Sequence, residues 1–437
     1  MKPSSRLYAI RDYAARNFLH AFTPNTFWLA IEKFIRLAIG LGITVALARY
    51  FGPQDFGIYN YALAFFSIVS VPASLGLERV VVRDLSATPG ASSVILGTAA
   101  MLRVIASVTV AFGAVATMRV IRPDDLLMQS FVGVLAIGLI FQFTDVIDMW
   151  FQSCGNMKTP ARVRLASLIA VSALKIAAIV AGASIIVFAW LNLLEVLVVA
   201  TFLCILYLIR RQHPQKWAFS RTRAREIMRD SWPLLVAGLS VGLYMRIDQI
   251  MLGDMVGEEA IGLYSAATRL SEVWYVVPII ITTALFPEIV KTRNTDPGEY
   301  LLRLKRLYHL LVWLALGIAV TITLVAYPLV TLLYGSAYAG AVDILVIHVW
   351  SCVAVFLGVG STQFLIAENL PHISLYRTLA GLVTNVALNL LLIPRFAGIG
   401  AAIATLTSYF VATFSLAFFK KSRGQALILL RSALPIR

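Results

Sequence analysis

The sequence predicts an all-α integral membrane protein with about twelve transmembrane helices in two six-helix halves, and three observations predict it. Apolar residues fill 59% of the 437 positions and charged residues only 14%, whereas ordinary soluble domains run at about 25% charged. Mean hydropathy is +0.83. The apolar residues gather into runs of membrane-crossing length, and the longest strongly polar stretch after the N-terminal tail falls at the chain midpoint. A helix needs about 20 apolar residues to cross about 30 Å of hydrocarbon. The composition excludes a soluble multidomain enzyme, and it excludes a porin-like barrel, whose strands alternate apolar and polar residues.

In chain order, spans are expected near residues 26–48, 57–77, 94–118, 126–150, 163–183 and 185–209, then 232–253, 262–286, 307–333, 341–366, 375–394 and 398–419. The polar stretch 210–231 separates the two halves, leaving tails at 1–25 and 420–437. The first residues carry Lys2, Arg6, Arg11, Asp12 and Arg16 with no apolar core between them, so no cleavable signal is expected and the first span serves as its own insertion signal. Cys154, Cys204 and Cys352 lie far apart and the five histidines are scattered. Neither a disulfide framework nor a metal site is indicated.

The net charge is +15. Of the 37 Lys and Arg, 27 fall in the two tails, the even-numbered loops and the first turn of the spans that follow those loops, and four (Arg49, Arg119, Arg122 and Arg395) fall on the other side. The positive-inside rule then places both termini in the cytoplasm. The basic segment 210–231 is read as a loop beside anionic lipid, with no nucleic-acid partner expected.

The remaining six cations, Lys33, Arg36, Arg103, Lys175, Arg246 and Arg269, lie within spans, as do Glu32, Asp145, Asp148, Glu195, Asp248 and Glu272. Ionised side chains facing lipid are costly, so these residues are expected to face a bundle interior or a wet cavity. Glu32 and Arg36 are spaced i,i+4 and Arg269 and Glu272 i,i+3, and Asp145 and Asp148 share a helix face, whereas Arg246 and Asp248 splay apart. Structural ion pairs between helices are the bland alternative. Twelve such residues together favour a polar cavity.

An internal duplication is visible. Gly52-x4-Gly57-Ile58-Tyr59-x2-Ala62 recurs as Gly257-x4-Gly262-Leu263-Tyr264-x2-Ala267, 205 residues later, and Trp28 and Trp232 each open the first span of a half. Since each half has six spans, both copies enter from one face and form parallel repeats about an axis along the membrane normal. No GxSxG, P-loop or HExxH motif is present, so an enzyme is not expected.

The first half's NTFWLAIEKFIRLAIGLGITVALARYFGPQDFGIYNYALAF resembles the opening of the bacterial polysaccharide flippases, the Wzx-type O-antigen and exopolysaccharide transporters. In the second half the resemblance continues through SWPLLVAGLSVGLYMRIDQIMLG, GLYSAATRLSEVWYVVP, Leu333-Tyr334-Gly335, Asn385-x3-Asn389-x3-Ile393-Pro394 and Gly398-Ile399-Gly400-Ala401-Ala402. It covers nearly the whole chain. The resemblance implies the fold of the multidrug/oligosaccharidyl-lipid/polysaccharide exporters, with two six-helix lobes around a central cavity, in the bacterial inner membrane.

The implied cargo is an undecaprenyl-pyrophosphate-linked oligosaccharide, moved from the cytoplasmic to the periplasmic leaflet with no cofactor. A glycan polymerase and a chain-length regulator are further partners consistent with this reading. The family places basic residues where this chain has Lys33, Arg36 and Arg269. Arg103 and Arg246 join them as substrate-binding candidates on charge and depth. The family is thought to use ion gradients, for which Glu32, Asp145, Asp148, Asp248 and Glu272 are the available carriers. A multidrug exporter or a peptidoglycan-precursor flippase of the same superfamily, and a non-transporting membrane scaffold for glycan assembly, stay open as alternatives. A drug exporter would want a more acidic pocket than six cations against six anions, and peptidoglycan-precursor flippases typically have fourteen spans.

Overall fold

The computed structural model describes residues 24–210, 216–293 and 295–432, with side chains described from Lys33 onward apart from residue 287. Glu32, Trp28 and the cations of the N-terminal tail therefore lie outside the described side chains. Every long element among the described residues is helical and no strand occurs among them. In chain order the helices are α1 (Pro24–Ser74), α2 (Glu78–Ala87), α3 (Ser92–Ile121), α4 (Leu126–Phe141), α5 (Asp145–Ser153), α6 (Lys158–Val180), α7 (Ile185–Arg210) and α8 (Arg221–Met255). They continue with α9 (Glu258–Glu272), α10 (Val276–Lys291), α11 (Pro297–Tyr334), α12 (Ala341–His348), α13 (Ser351–Ala367), α14 (Pro371–Phe414) and α15 (Arg423–Arg431).

Ten helices among the described residues are long and apolar enough to cross a membrane. Two of these are double-length. The 51 residues of α1 would measure about 75 Å as a straight rod at 1.5 Å per residue, more than twice the hydrocarbon thickness. The helix is broken at Gly52, whose φ of 71° and ψ of 175° leave the helical region, and Pro53 restarts it with a φ already suited to a first helical turn. Likewise α14 is broken at Ala397, with φ 46° and ψ −127°. Both breaks fall between spans expected from hydropathy, so ten helices supply about twelve crossings.

Three further spans are discontinuous. A 3-10 turn at Gln142–Thr144 joins α4 to α5, another at Val273–Tyr275 joins α9 to α10, and a two-residue turn at Val349 and Trp350 joins α12 to α13. Such interruptions free backbone groups inside a membrane protein, where only protein or trapped water can satisfy them. Polar caps set two of the helix starts. Asp125 accepts the Met128 N–H at 2.8 Å, and Asp296, just before Pro297, accepts the Glu299 N–H at 3.0 Å.

Two compact units result, one formed by Met1–Ala38 with Leu263–Arg437 and the other by Ile39–Gly262. The division does not follow the polar midpoint. In the second unit, α8 packs on α2 and α3 although it follows the 210–231 stretch. This unit's core gathers Leu77, Val81, Ile95, Leu96, Ile147 and Leu203, all at most 2% exposed. Trp150 stands edge-on to Tyr207 at 5.1 Å, and Trp217 donates to the Tyr207 hydroxyl at 2.9 Å. In the other unit the two arms of α14 meet beside the break: a Cβ on Gly400 would overlap the Leu392 carbonyl.

Ala397 holds a backbone conformation that only glycine adopts freely, and such strain is worth on the order of 1–3 kcal/mol. Ala397→Gly is therefore expected to stabilise the protein by about 1 kcal/mol after glycine's greater unfolded-state entropy is subtracted. Thermal unfolding in detergent checks this. A lowered midpoint refutes it.

Candidate functional site

The charged residues of the spans form separate networks, and the helix interruptions position several of them. In the unit Ile39–Gly262, the turn at Gln142–Thr144 sets Asp145 at the start of α5 with Asp148 one turn later on the same face. Arg103 on α3 is 4% exposed. Its Nη1 lies 3.2 Å from Asp145 Oδ2 and 3.4 Å from the Gln142 carbonyl. Arg164 on α6 donates to Asp148 Oδ2 at 2.7 Å and stands 4.0 Å from Asp145. Two arginines thus face two aspartates, and Arg103 Nε is buried with no hydrogen-bond partner among the described residues. Arg164 escapes the sequence reading because it stands only one residue inside the span expected at 163–183 and is counted with the adjoining loop cations.

A second network joins α6, α7 and the repeated glycine motif. Lys175, 7% exposed, donates to Asn192 Oδ1 at 2.8 Å and lies 3.7 Å from Glu195 Oε2. Asn192 Nδ2 in turn donates to the Tyr59 hydroxyl at 3.2 Å. Asp248 on α8 is buried, and its Oδ1 accepts the Gln249 backbone N–H at 2.8 Å. Arg246 is half-buried.

In the other unit, Lys33 is exposed and Arg36 half-buried on the first arm of α1. Arg269 is half-buried on the last turn of α9, just before the 3-10 turn. Among the described residues it makes no ion pair, so the i,i+3 pair expected with Glu272 is not one of its contacts. Tyr334, at the end of α11, has a buried hydroxyl without a hydrogen-bond partner among the described residues.

Polar contacts that the sequence did not signal surround this segment. Ser271 Oγ lies 2.6 Å from Nδ1 of His348, which is 2% exposed. Tyr275 and Ser351 hydroxyls pair at 2.7 Å. Asn385 and Asn389, noted as part of a motif, are fully buried on the first arm of α14. Asn389 donates to Asn385 Oδ1 at 3.0 Å, and Asn385 reaches Thr405 and Ser408 on the second arm at 3.4 Å. This amide ladder spans the break at Ala397. No group of three or more His, Cys, Asp and Glu able to hold a metal occurs among the described residues. A cavity of about 460 Å³ between α10 and α13 is lined by Thr282, Thr283, Phe286, Val290, Lys291 and Gln363, none of them a candidate from the sequence.

Residues 22–293 match the family model described as polysaccharide biosynthesis protein. The chain is similar to the probable flippase AglR of Haloferax volcanii, 33% identical over 199 residues, which are 43% of this chain and 41% of that protein. The match therefore spans less than half of AglR. It is also similar to the probable low-salt glycan biosynthesis flippase Agl15 of the same organism, 22% identical over 420 residues covering 91% of this chain and 82% of the other. Among solved structures, the lipid II flippase MurJ in an inward closed conformation gives a TM-score of 0.75 at 14% identity, covering 93% of this chain and 90% of that one. An inward-facing multidrug resistance MATE family transporter of the MOP superfamily gives 0.71 at 16% identity, covering 92% and 99%. At such identities the likeness shows the fold alone, which this chain shares with both transporters.

Proposed function

We propose that this chain, which belongs to the polysaccharide biosynthesis protein family, is a flippase that carries an undecaprenyl-pyrophosphate-linked oligosaccharide from the cytoplasmic to the periplasmic leaflet by alternating access. The observation that carries the reading is Arg269: a half-buried guanidinium within a span, with no ion pair among the described residues. A permanently charged group in that setting calls for an anion, and a planar fork suits two phosphate oxygens. Sugar hydroxyls and pyrophosphate charges left without partners cannot cross hydrocarbon unaided. The lipid tail can stay in the bilayer.

Lys33 and Arg36 extend the basic set within the same unit, while Arg246 and Arg103 are assigned from the other. Arg103 is already bound to Asp145, so its part in holding cargo requires an exchange of partners. For ion coupling, Asp145 and Asp148 are the best-placed of the candidates. Each is held by an arginine, and a proton or cation that displaces the arginine leaves no carboxylate charge buried and unpaired. Asp248, Glu272 and Glu32 complete the carriers. The relatives' names as flippases support transport over catalysis, and no enzymatic activity is proposed. The membrane is the bacterial inner membrane, with both termini cytoplasmic and a glycan polymerase and chain-length regulator as partners.

The direct test uses purified protein in vesicles holding a lipid-pyrophosphate-linked oligosaccharide with a fluorescent sugar. Wild-type protein is expected to expose the label to a membrane-impermeant quencher far faster than protein-free vesicles. Equal rates refute the reading. Orientation has its own test, since Asp124, Arg221 and Lys421 are all exposed. An impermeant maleimide added to intact cells is expected to modify Asp124→Cys but neither Arg221→Cys nor Lys421→Cys. The reverse pattern overturns the orientation.

A further inference from the structure

Within the unit Ile39–Gly262, the turn at Gly52 and the turn at Gly257 touch, and they do so reciprocally. A Cβ on Gly57 would overlap the Glu258 carbonyl, and a Cβ on Gly262 would overlap the Pro53 carbonyl. Glu258 and Pro53 each follow the first glycine of their copy of the motif. Each copy therefore meets the other through the same atoms, the pattern that a local two-fold relation produces. The two first glycines both have positive φ, 71° and 123°, which lets the chain turn sharply enough to bring the backbones together.

Arg122, in the turn between α3 and α4, bolts this junction. It donates to Glu258 Oε1, to Asp254 Oδ1 at 3.2 Å and to the Gly253 carbonyl at 3.2 Å. Its guanidinium sits 4.6 Å from the centre of the Tyr61 ring, and Tyr61 closes the circuit by donating to Asp254 Oδ1 at 2.9 Å. Asp125 adds a carboxylate 3.8 Å away. A segment from the first half of the chain is thereby tied to the end of α8 and the start of α9. Arg122 is one of only four cations on the cation-poor side.

We propose that Arg122 is a positioning residue of the translocation cycle: it latches the two repeated turns together on the non-cytoplasmic side and releases them when cargo leaves there. The proposal rests on the flippase reading for its cargo and on the cation asymmetry for its side. A permanent staple would be expected to have deeply buried partners. Here Asp254 and Glu258 keep 36% and 28% of their side chains exposed, so water can take over at once when the arginine leaves, and exposed pairs of this kind are weak enough to open. The glycine contact beneath is backbone against backbone.

The test uses the full chain in vesicles with Cys154, Cys204 and Cys352 replaced by serine and spin labels on Asp124→Cys and Glu259→Cys, both exposed positions. Pulsed electron resonance then reads the distance across the latch. Wild type is expected to show a dominant short distance. Arg122→Gln and Glu258→Gln are each expected to raise the long-distance fraction at least fivefold, and Arg122→Lys less, because one ammonium cannot serve two carboxylates and a carbonyl with a fork's geometry. A merely structural Arg122 predicts a lowered thermal midpoint with an unchanged distance distribution, and that result overturns the proposal. The distance readout does not depend on cargo. A shifted distribution in a protein that fails the vesicle assay would keep the latch and refute the flippase.

Discussion

Arg269→Ala is expected to slow translocation of the lipid-linked oligosaccharide by two to four orders of magnitude while leaving the abundance of the protein close to wild type. The stability half of this expectation follows from what Arg269 does not touch. It makes no ion pair among the described residues and is half-buried, so its removal strips no partner of a bond, and substitutions without such a mechanism usually stay within about 0.5 kcal/mol. The transport half follows from what it would hold. Hydrogen bonds to charged groups are worth about 1.5–3 kcal/mol each, and a guanidinium can give a phosphate two. Losing about 3–6 kcal/mol corresponds to two to four factors of ten. Arg269→Lys keeps the charge and loses the fork, so about a tenth of the wild-type rate is expected to return. Tyr334→Phe supplies a control, because its buried hydroxyl has no partner to lose in the empty protein. The vesicle assay and a thermal midpoint on the same preparations decide the matter. If Arg269→Ala instead lowers abundance and Arg269→Lys restores both abundance and rate, Arg269 is structural.

The places where hydropathy was enough, and the places where it was not, have a common cause. Span positions were legible because burying about 20 backbone groups in hydrocarbon leaves little freedom of composition. Even the breaks in α1 and α14 fell between expected spans, since a glycine, a proline or a polar residue marks each turn. The sharing of a face by Asp145 and Asp148 was legible because helical spacing dictates it. Their partner Arg164 was not, since it comes from another helix and no period encodes which helices pack together. The same limit applies to His348 with Ser271, 77 residues apart, and to Arg122 with Glu258, 136 apart. Spacing also misled at Arg269 and Glu272, where i,i+3 permits a pair but does not require one. The compact units depart from the midpoint division for a like reason: α8 follows the polar stretch, yet its packing on α2 and α3 is decided by side chains that no linker composition reveals.

Gly57→Ala and Gly262→Ala are expected to have the same effect as each other, and the opposite of what helix propensity alone predicts. Both positions lie within helices, at ordinary φ, where alanine in place of glycine normally stabilises by about 0.5–1 kcal/mol. Gly133→Ala in α4, whose added Cβ would meet open space, should show that gain. At Gly57 and Gly262 the added carbon overlaps a carbonyl across the junction, and the two turns must separate until a C···O spacing of about 3.3 Å is restored. No side chain can swing aside, because the obstacle is backbone. Separation by that amount also pulls Glu258 from Arg122, so both variants are expected to move the spin-label distribution to the long component by more than tenfold, about 1.4 kcal/mol. One displacement relieves both overlaps at once. The double variant should therefore cost little more than either single one, a non-additivity that two independent packing defects would not show. Full additivity, or a Gly262→Ala variant that behaves like Gly133→Ala, would show that the reciprocal contact does not hold the two turns together.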